Sequence, residues 1–298
     1  MEGTLRLVFA GERVIPGDPQ CRSLYVEHVA RYRFAQDHVR GQRVLDIACG
    51  VGYGTSLLAQ AGAVSAVGID VDAQSIVHAD EHYGGTPSVR FIQAPASKLV
   101  QVAPGPYDVC VSFETIEHLE HPEQFLKDAA TLLVPNGLLI ISTPNRYVYC
   151  PENRDGLHSR NPFHRREWTT KEFLRLLSQH FDVLSVHGQL LLSQRRALLR
   201  RWRELARHRV AGTWLEGTAH RMARLQRLPI VRAAYEKCRD MVCGSVEQGR
   251  LPAVGDQQEE MRGFETEARG AAVRVLTADV IPTIIVCLCK TKSSAGTG

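Results

Sequence analysis

From residue 43 onward the chain alternates short apolar runs with amphipathic stretches. Residues 44–48, 66–69, 89–93, 107–112 and 138–142 are near-continuous apolar runs bounded by turn residues, the pattern of strands buried on both faces. Between them, residues 55–61, 72–83 and 122–133 have helical spacing, with Asp72 placed as an N-cap. Asn136-Gly137 predicts a turn before the fifth strand. Thr170 is expected to cap a helix running to His180, residues 181–189 to form a sixth strand and residues 281–290 a seventh. Strands alternating with helices predict an α/β fold on a largely parallel sheet. Ahead of the first strand, a turn-rich lead-in precedes helical periodicity over residues 23–39, carried by Leu24, Tyr25, Val29, Tyr32 and Phe34.

The first strand runs into Gly50-Val51-Gly52-Tyr53-Gly54, the form of a nucleotide-cofactor loop. Glycines let the backbone turn sharply and approach a ligand with no Cβ in the way, while the amides of the next helix start face it. The G-x-G-x-G spacing is not the G-x-G-x-x-G of pyrophosphate binders. Asp46 interrupts an apolar strand, where an unpaired charge is costly, and a carboxylate there suits a cationic ligand. Asp70 closes the second strand about twenty residues past the first glycine, the offset at which an acid reaches a ribose hydroxyl pair.

At these residues the sequence resembles the class I S-adenosylmethionine-dependent methyltransferases. The resemblance covers roughly residues 40–190 and again 281–290. It implies a doubly wound, Rossmann-like sheet of seven strands whose last strand lies antiparallel between the fifth and sixth. It also implies S-adenosylmethionine as cofactor, with cofactor contacts at Asp46, Ala48, Gly50, Gly52, Asp70, Val71, Gln93, Ala94 and Glu114. Family members often carry an acid near the end of the third strand for the adenine amino group. Here that place reads Gln93-Ala94-Pro95-Ala96, which leaves adenine to Gln93 or to backbone groups.

A second informative stretch follows the fourth strand: Glu114-Thr115-Ile116-Glu117-His118. On a helical turn these three ionisable residues share a face and converge at the carboxyl edge of the sheet. Either His118 works alone as a general base, or all three bind a divalent metal whose charge acidifies a hydroxyl, and His118 and Glu117 are the expected catalytic residues. The bland alternative has Glu114 on the cofactor, Glu117 pairing with a nearby Arg and His118 as base or packing. Residues 147–169 form a polar loop too long for a mere connector, and loops at this edge carry substrate contacts.

Glu-x-x-Glu-His, then Thr-Pro-Asn at 143–145 and a His before Glu-Trp-Thr at 167–169, is similar to the magnesium-dependent methyltransferases of small-RNA ends. Carried over, their Mg2+ ligands fall on Glu114, Glu117, His118 and His164. Ubiquinone-pathway O-methyltransferases share the Glu-x-x-Glu-His part. Asn-Pro-Phe-His-x-Arg-Glu-Trp-Thr resembles bacterial methyltransferases of sugars and surface polysaccharides. The resemblances together imply O-methylation of a sugar hydroxyl in a glycan, glycolipid or glycosylated metabolite. An RNA end or a quinone-like aromatic as acceptor, and a non-catalytic cofactor-binding scaffold, are the alternatives.

Length and charge add an appendage to this picture. The 298 residues, 44% hydrophobic, hold one large domain and more. The expected division is a leader at 1–40, a core at 41–189, a basic helical insertion at 190–270, the closing strand at 271–290 and a tail at 291–298. In this superfamily such a leader commonly forms a lid, which makes Arg13 and Tyr32 lid candidates; a core role for Tyr32 is the competing reading. Residues 190–250 hold fourteen Lys and Arg against five Asp and Glu, so the segment carries +9 in a chain whose net charge is only +4. Its arginines punctuate a helical pattern from Arg195 to Arg232. Such a stretch docks on anionic lipid, nucleic acid or a phosphate-bearing sugar carrier, nucleic acid ranking last, or is the solvated face of a helical cap or homodimer element. The first ten residues hold no signal-peptide run and no stretch reaches the ~18 apolar residues of a membrane helix. Eight cysteines lack C-x-x-C spacing and read as reduced, hence a cytoplasmic protein with a basic segment suited to the inner membrane face.

Overall fold

The computed structural model describes residues 14–103, 105–150, 156–157, 159, 161–189, 192–193, 273–275 and 280–292. A short 3-10 turn, Pro19–Cys21, feeds helix α1 (Arg22–Gln36), and Asp18 caps it by accepting from the Gln20 amide at 2.8 Å. Then come β1 (Arg43–Ile47), α2 (Tyr53–Gln60), β2 (Ser65–Asp70), α3 (Ala73–Tyr83), β3 (Val89–Gln93), the single turn α4 (Leu99–Val102) and β4 (Tyr107–Ser112). After them follow α5 (Pro122–Leu132), β5 (Leu133–Pro144), α6 (Arg146–Tyr149), α7 (Thr170–Leu177) and β6 (Phe181–Gln189). Three two-residue strands, β7 (Leu192–Ser193), β8 (Arg274–Val275) and β9 (Val280–Ile281), precede β10 (Ile284–Thr291).

The main sheet has the order β3-β2-β1-β4-β5-β10-β6-β8. The first five strands pair in parallel, and β10 runs antiparallel between β5 and β6, with Val286 opposite Ser142 on one side and His187 on the other. The doubly wound, seven-stranded arrangement expected from the sequence is therefore present. The addition is β8, which extends the edge by pairing Val275 with His187 and Arg274 with Gly188. Strand order reverses between β1 and β4, and a sheet of this kind opens a crevice there, beyond its carboxyl ends.

Alternation along the strands sorts the core into two layers. Leu45 and Ile47 face a cluster with Ile69, Phe125, Trp168 and Phe173. Val44 faces the opposite layer with Tyr32, Val111, Ile140 and Val286. Asp46 shares the face of Val44, since side chains two apart on a strand point the same way, and this turns its carboxylate toward α1.

Four local expectations are revised. Helix α1 ends at Gln36 and the backbone then turns through Gly41 at φ +73°. Thr169, not Thr170, caps α7, in a capping box with Glu172. Asn136-Gly137 lies inside β5 rather than before it. Tyr107 pairs with Leu133 and Val109 with Leu138, so the intervening residues bulge out, with Asn136 at φ +64°. The last strand starts at Ile284.

Arg13, the bulk of the basic segment and residues 293–298 lie outside the described residues. Six described cysteines are free and buried; Cys238 and Cys243 are also outside. Among the described residues no helix is long and apolar enough to cross a membrane.

Candidate active site

A cavity of about 900 Å³ opens at the carboxyl edge of the sheet, lined among others by Gly50, Asp70, Ala94, Glu114, His118 and Arg165. The loop after β1 forms its floor. Ala48, Gly50 and Gly52 all have positive φ, +62°, +55° and +87°, and this run of left-handed residues folds the chain back under the cavity. A Cβ on Gly50 would meet no atom within 4 Å, so this glycine keeps the loop open to a ligand. Gly52 serves packing instead: its Cβ would fall 2.5 Å from Ala79 Cβ. A Cβ on Gly54 would fall 1.9 Å from the Tyr32 ring.

Asp70 lines the cavity and is held by two amides. Oδ2 accepts from Gly50 at 2.8 Å and Oδ1 from Asp72 at 2.9 Å. Ala48, Val71 and Ala94 line the same wall. Gln93 does not; its amide reaches the Val71 carbonyl at 3.4 Å. Asp46 lies beneath the loop rather than on the cavity surface. It is 1% exposed and accepts from Thr55 Oγ1 at 2.6 Å and from the Tyr32 hydroxyl. Burial pushes its carboxyl up to about 7, against the lowering effect of those two bonds. Tyr32 packs edge-on to Tyr53 and Phe113 and lines the cavity as well, so it belongs both to the core and to the ligand's surroundings.

The acidic cluster differs from a single helical face. Only Ile116–His118 is a 3-10 turn, and Glu114 precedes it at φ +49°. Glu114 Oε1 therefore accepts from Ser142 Oγ at 2.6 Å and lines the cavity, whereas Glu117 Oε2 accepts from Thr143 Oγ1 at 3.0 Å. Ser142 and Thr143 are consecutive on β5, so their side chains leave opposite faces and the two carboxylates diverge. Glu117 is fully buried and its Oε1 has no hydrogen-bond partner among the described residues. Burial and the nearby Glu114 carboxylate push the Glu117 carboxyl well above its ordinary range.

The loop after α6 closes over this group. The amides of Arg165 and Arg166 donate to the Glu117 carbonyl at 2.8 and 3.2 Å. His118 Nδ1 lies 3.1 Å from the Phe163 carbonyl and Nε2 lies 3.9 Å from Glu117 Oε1. His164 Nδ1 lies 2.9 Å from Glu167 Oε1, and the two imidazoles meet edge-on at 4.9 Å. Both Nδ1 atoms thus face oxygen acceptors and carry the proton, which leaves Nε2 as the basic nitrogen. Ligand atoms of Glu117, His118 and His164 lie within 4.8 Å of one another, and Glu114 is outside this group. Sequence reasoning passed over Glu167, which is 3% exposed and also accepts from Ser159 Oγ at 2.6 Å. Its one visible signal is an acid three residues after His164, directly behind Arg165 and Arg166.

A methyltransferase-domain family model matches residues 22–204. A probable S-adenosylmethionine-dependent methyltransferase of Mycolicibacterium smegmatis is 33% identical over 183 residues, 61% of this chain and 68% of that protein. The chain belongs to the class I S-adenosylmethionine-dependent methyltransferases. A similarly named protein of Mycobacterium tuberculosis is 33% identical to this methyltransferase over 57% of its chain and 60% of the relative. A ubiquinone biosynthesis O-methyltransferase of a Caulobacter species is 33% identical over 42% of the methyltransferase and 52% of the relative. The methyltransferase thus spans little more than half of that relative's length. The fold also matches a protein solved from Haloferax volcanii with the Trm112 methyltransferase activator, at a TM-score of 0.52 and 13% identity over 93% of this chain and 95% of that one. The cofactor of the family is a sulfonium cation, and the cavity suits one: Asp70, Asp72, Glu114, Glu120 and Asp128 line it.

Proposed function

We propose that this methyltransferase is an O-methyltransferase acting on a hydroxyl of a sugar in a glycan, glycolipid or glycosylated metabolite. The observation that carries the O-methyl reading is Glu117 Oε1, a buried carboxyl oxygen with no hydrogen-bond partner among the described residues, 3.9 Å from Nε2 of His118, which lines the cavity. A buried oxygen in that state seeks a proton or a cation. Bound S-adenosylmethionine supplies an electrophilic methyl group, and the protein has to align an acceptor and remove its proton. Asp70, fixed by its two amides, takes the ribose hydroxyls. His118 Nε2 takes the proton of the acceptor hydroxyl, and the ionised form of Glu117 beside it stabilises the imidazolium so formed. The Phe163 carbonyl holds the ring in the tautomer this requires.

The same residues fit a divalent ion. Glu117, His118 and His164 would hold it, and a cation bound there supplies positive charge that acidifies a hydroxyl. One carboxylate and two imidazoles suit a first-row transition ion better than Mg2+, which prefers oxygen. The sugar is supported by the loop's resemblance to sugar methyltransferases; the relatives named for ubiquinone biosynthesis support a small aromatic acceptor instead.

Calorimetry with S-adenosylmethionine, with and without Mg2+ or Mn2+, followed by methyl transfer over sugar and quinol acceptors, tests this. Glu117→Ala and His118→Ala are expected to abolish turnover with cofactor binding intact. Retained turnover in both variants overturns the assignment.

A further inference from the structure

On the loop that covers Glu117, consecutive side chains point to different tasks. His164 turns to Glu167 and His118, while its neighbours Phe163 and Arg165 both line the cavity. Arg165 is the only Lys or Arg among the described lining residues, and the carboxylates that share the lining with it are Asp70, Asp72, Glu114, Glu120 and Asp128. Its backbone is pinned by the bond to the Glu117 carbonyl, and no described residue pairs with its exposed guanidinium. The adjacent Arg166 is engaged elsewhere, 3.9 Å from Glu123 and 5.7 Å from the Trp168 ring centre.

Phe163 shows the same contrast between fixed backbone and open side chain. Its amide donates to Asn161 Oδ1 at 3.0 Å and its carbonyl meets His118, yet its side chain contributes to a residue 53% exposed. A pyranose offers an apolar C–H face to such a ring, whose own face is electron-rich. A guanidinium two residues further along the same loop offers paired donors to a carboxylate or phosphate.

We propose that Phe163 and Arg165 form the acceptor-recognition element, and that the acceptor is an anionic sugar, a uronate or a sugar phosphate. The inference rests on the sugar reading above. The ring of Phe163 stacks on the sugar and Arg165 binds its anionic group, which brings a hydroxyl to His118.

The test titrates the methyltransferase, loaded with S-adenosylhomocysteine, with methyl β-glucuronide, glucose 1-phosphate and methyl β-glucoside. At least one of the two anionic probes is expected to bind about tenfold more tightly than the neutral glucoside, and which one does separates a uronate from a phosphate. Arg165→Gln removes that preference while S-adenosylhomocysteine affinity stays within about twofold, Arg165→Lys keeps part of it, and Phe163→Ala weakens all three sugars together. Equal binding of the neutral and anionic probes overturns the inference alone. Loss of S-adenosylhomocysteine affinity in Arg165→Gln overturns it too, by assigning the guanidinium to the cofactor's own carboxylate. If none of the sugars binds, the sugar reading fails and the inference with it.

Discussion

The hydroxyl of Tyr32, on the helix before the sheet, lies 3.1 Å from both carboxylate oxygens of Asp46 on the first strand. This bond ties α1 to the underside of the cofactor loop, so that a residue outside the nucleotide motif sets the charge beneath it. Tyr32→Phe keeps the ring and removes the donor. It is expected to cost about 1–3 kcal/mol of stability and to weaken S-adenosylmethionine binding, as seen by urea unfolding and calorimetry. Unchanged values for both would mean that Thr55 alone satisfies Asp46.

The three loop glycines separate into two kinds. Gly54→Ala forces a methyl group against the Tyr32 ring, an overpacking expected to cost about 1–3 kcal/mol and to lower the melting temperature by several degrees. Gly50→Ala meets open space, so its stability cost is the left-handed strain of about 1–2 kcal/mol, while the methyl enters the cavity. Calorimetry is expected to show the larger loss of cofactor affinity per kcal/mol of lost stability in Gly50→Ala.

The strands, the loop and Asp70 were legible because each depends on a local signal: an apolar run, a glycine spacing, an acid at a strand end; the order of the strands in the sheet followed from the family resemblance. Asp46 was visible as an anomaly, but its partners Tyr32 and Thr55 were not, since sequence does not report which strand face meets which helix. The acidic cluster failed at Glu114 for a related reason. Helical spacing applies only where the backbone is helical, and a positive φ there sends the side chain to Ser142. Glu167 was illegible because its importance arises only when the loop lays His164 beside His118.

Asp46 also imposes a pH dependence whose sign is unusual. In the unfolded chain its carboxyl titrates near the ordinary 3.8, and in the fold at about 7. Between those values the folded chain holds a proton that the unfolded chain has lost. The contribution therefore favours folding fully below the lower value and is lost as pH rises through the upper one, a swing on the order of 4 kcal/mol. Asp46→Asn removes the titration. The unfolding free energy of the variant, compared with that of the wild type in urea melts without cofactor, is expected to improve steadily from pH 4.5 to 7.5. A constant difference across that range would show that Asp46 stays ionised.

Glu167 is the residue through which the loop and the cluster are coupled. Its Oε1 receives both Ser159 and the Nδ1–H of His164, so it fixes which nitrogen of His164 faces Glu117 and His118. Glu167→Gln keeps the shape but replaces the carboxylate with an amide that can present its NH2 to the ring and reverse the tautomer. Outer partners of this kind are worth about 10–100-fold in metal affinity. If Glu117, His118 and His164 hold an ion, Mn2+ titrated against the variant and followed by electron paramagnetic resonance is expected to bind at least tenfold more weakly than to the wild type. S-adenosylmethionine affinity should stay unchanged, because Glu167 is absent from the cavity lining. Wild-type Mn2+ affinity in the variant would mean that His164 is oriented by packing against His118 alone. Absent Mn2+ binding in both proteins, with turnover intact, would leave His118 as the base without a metal.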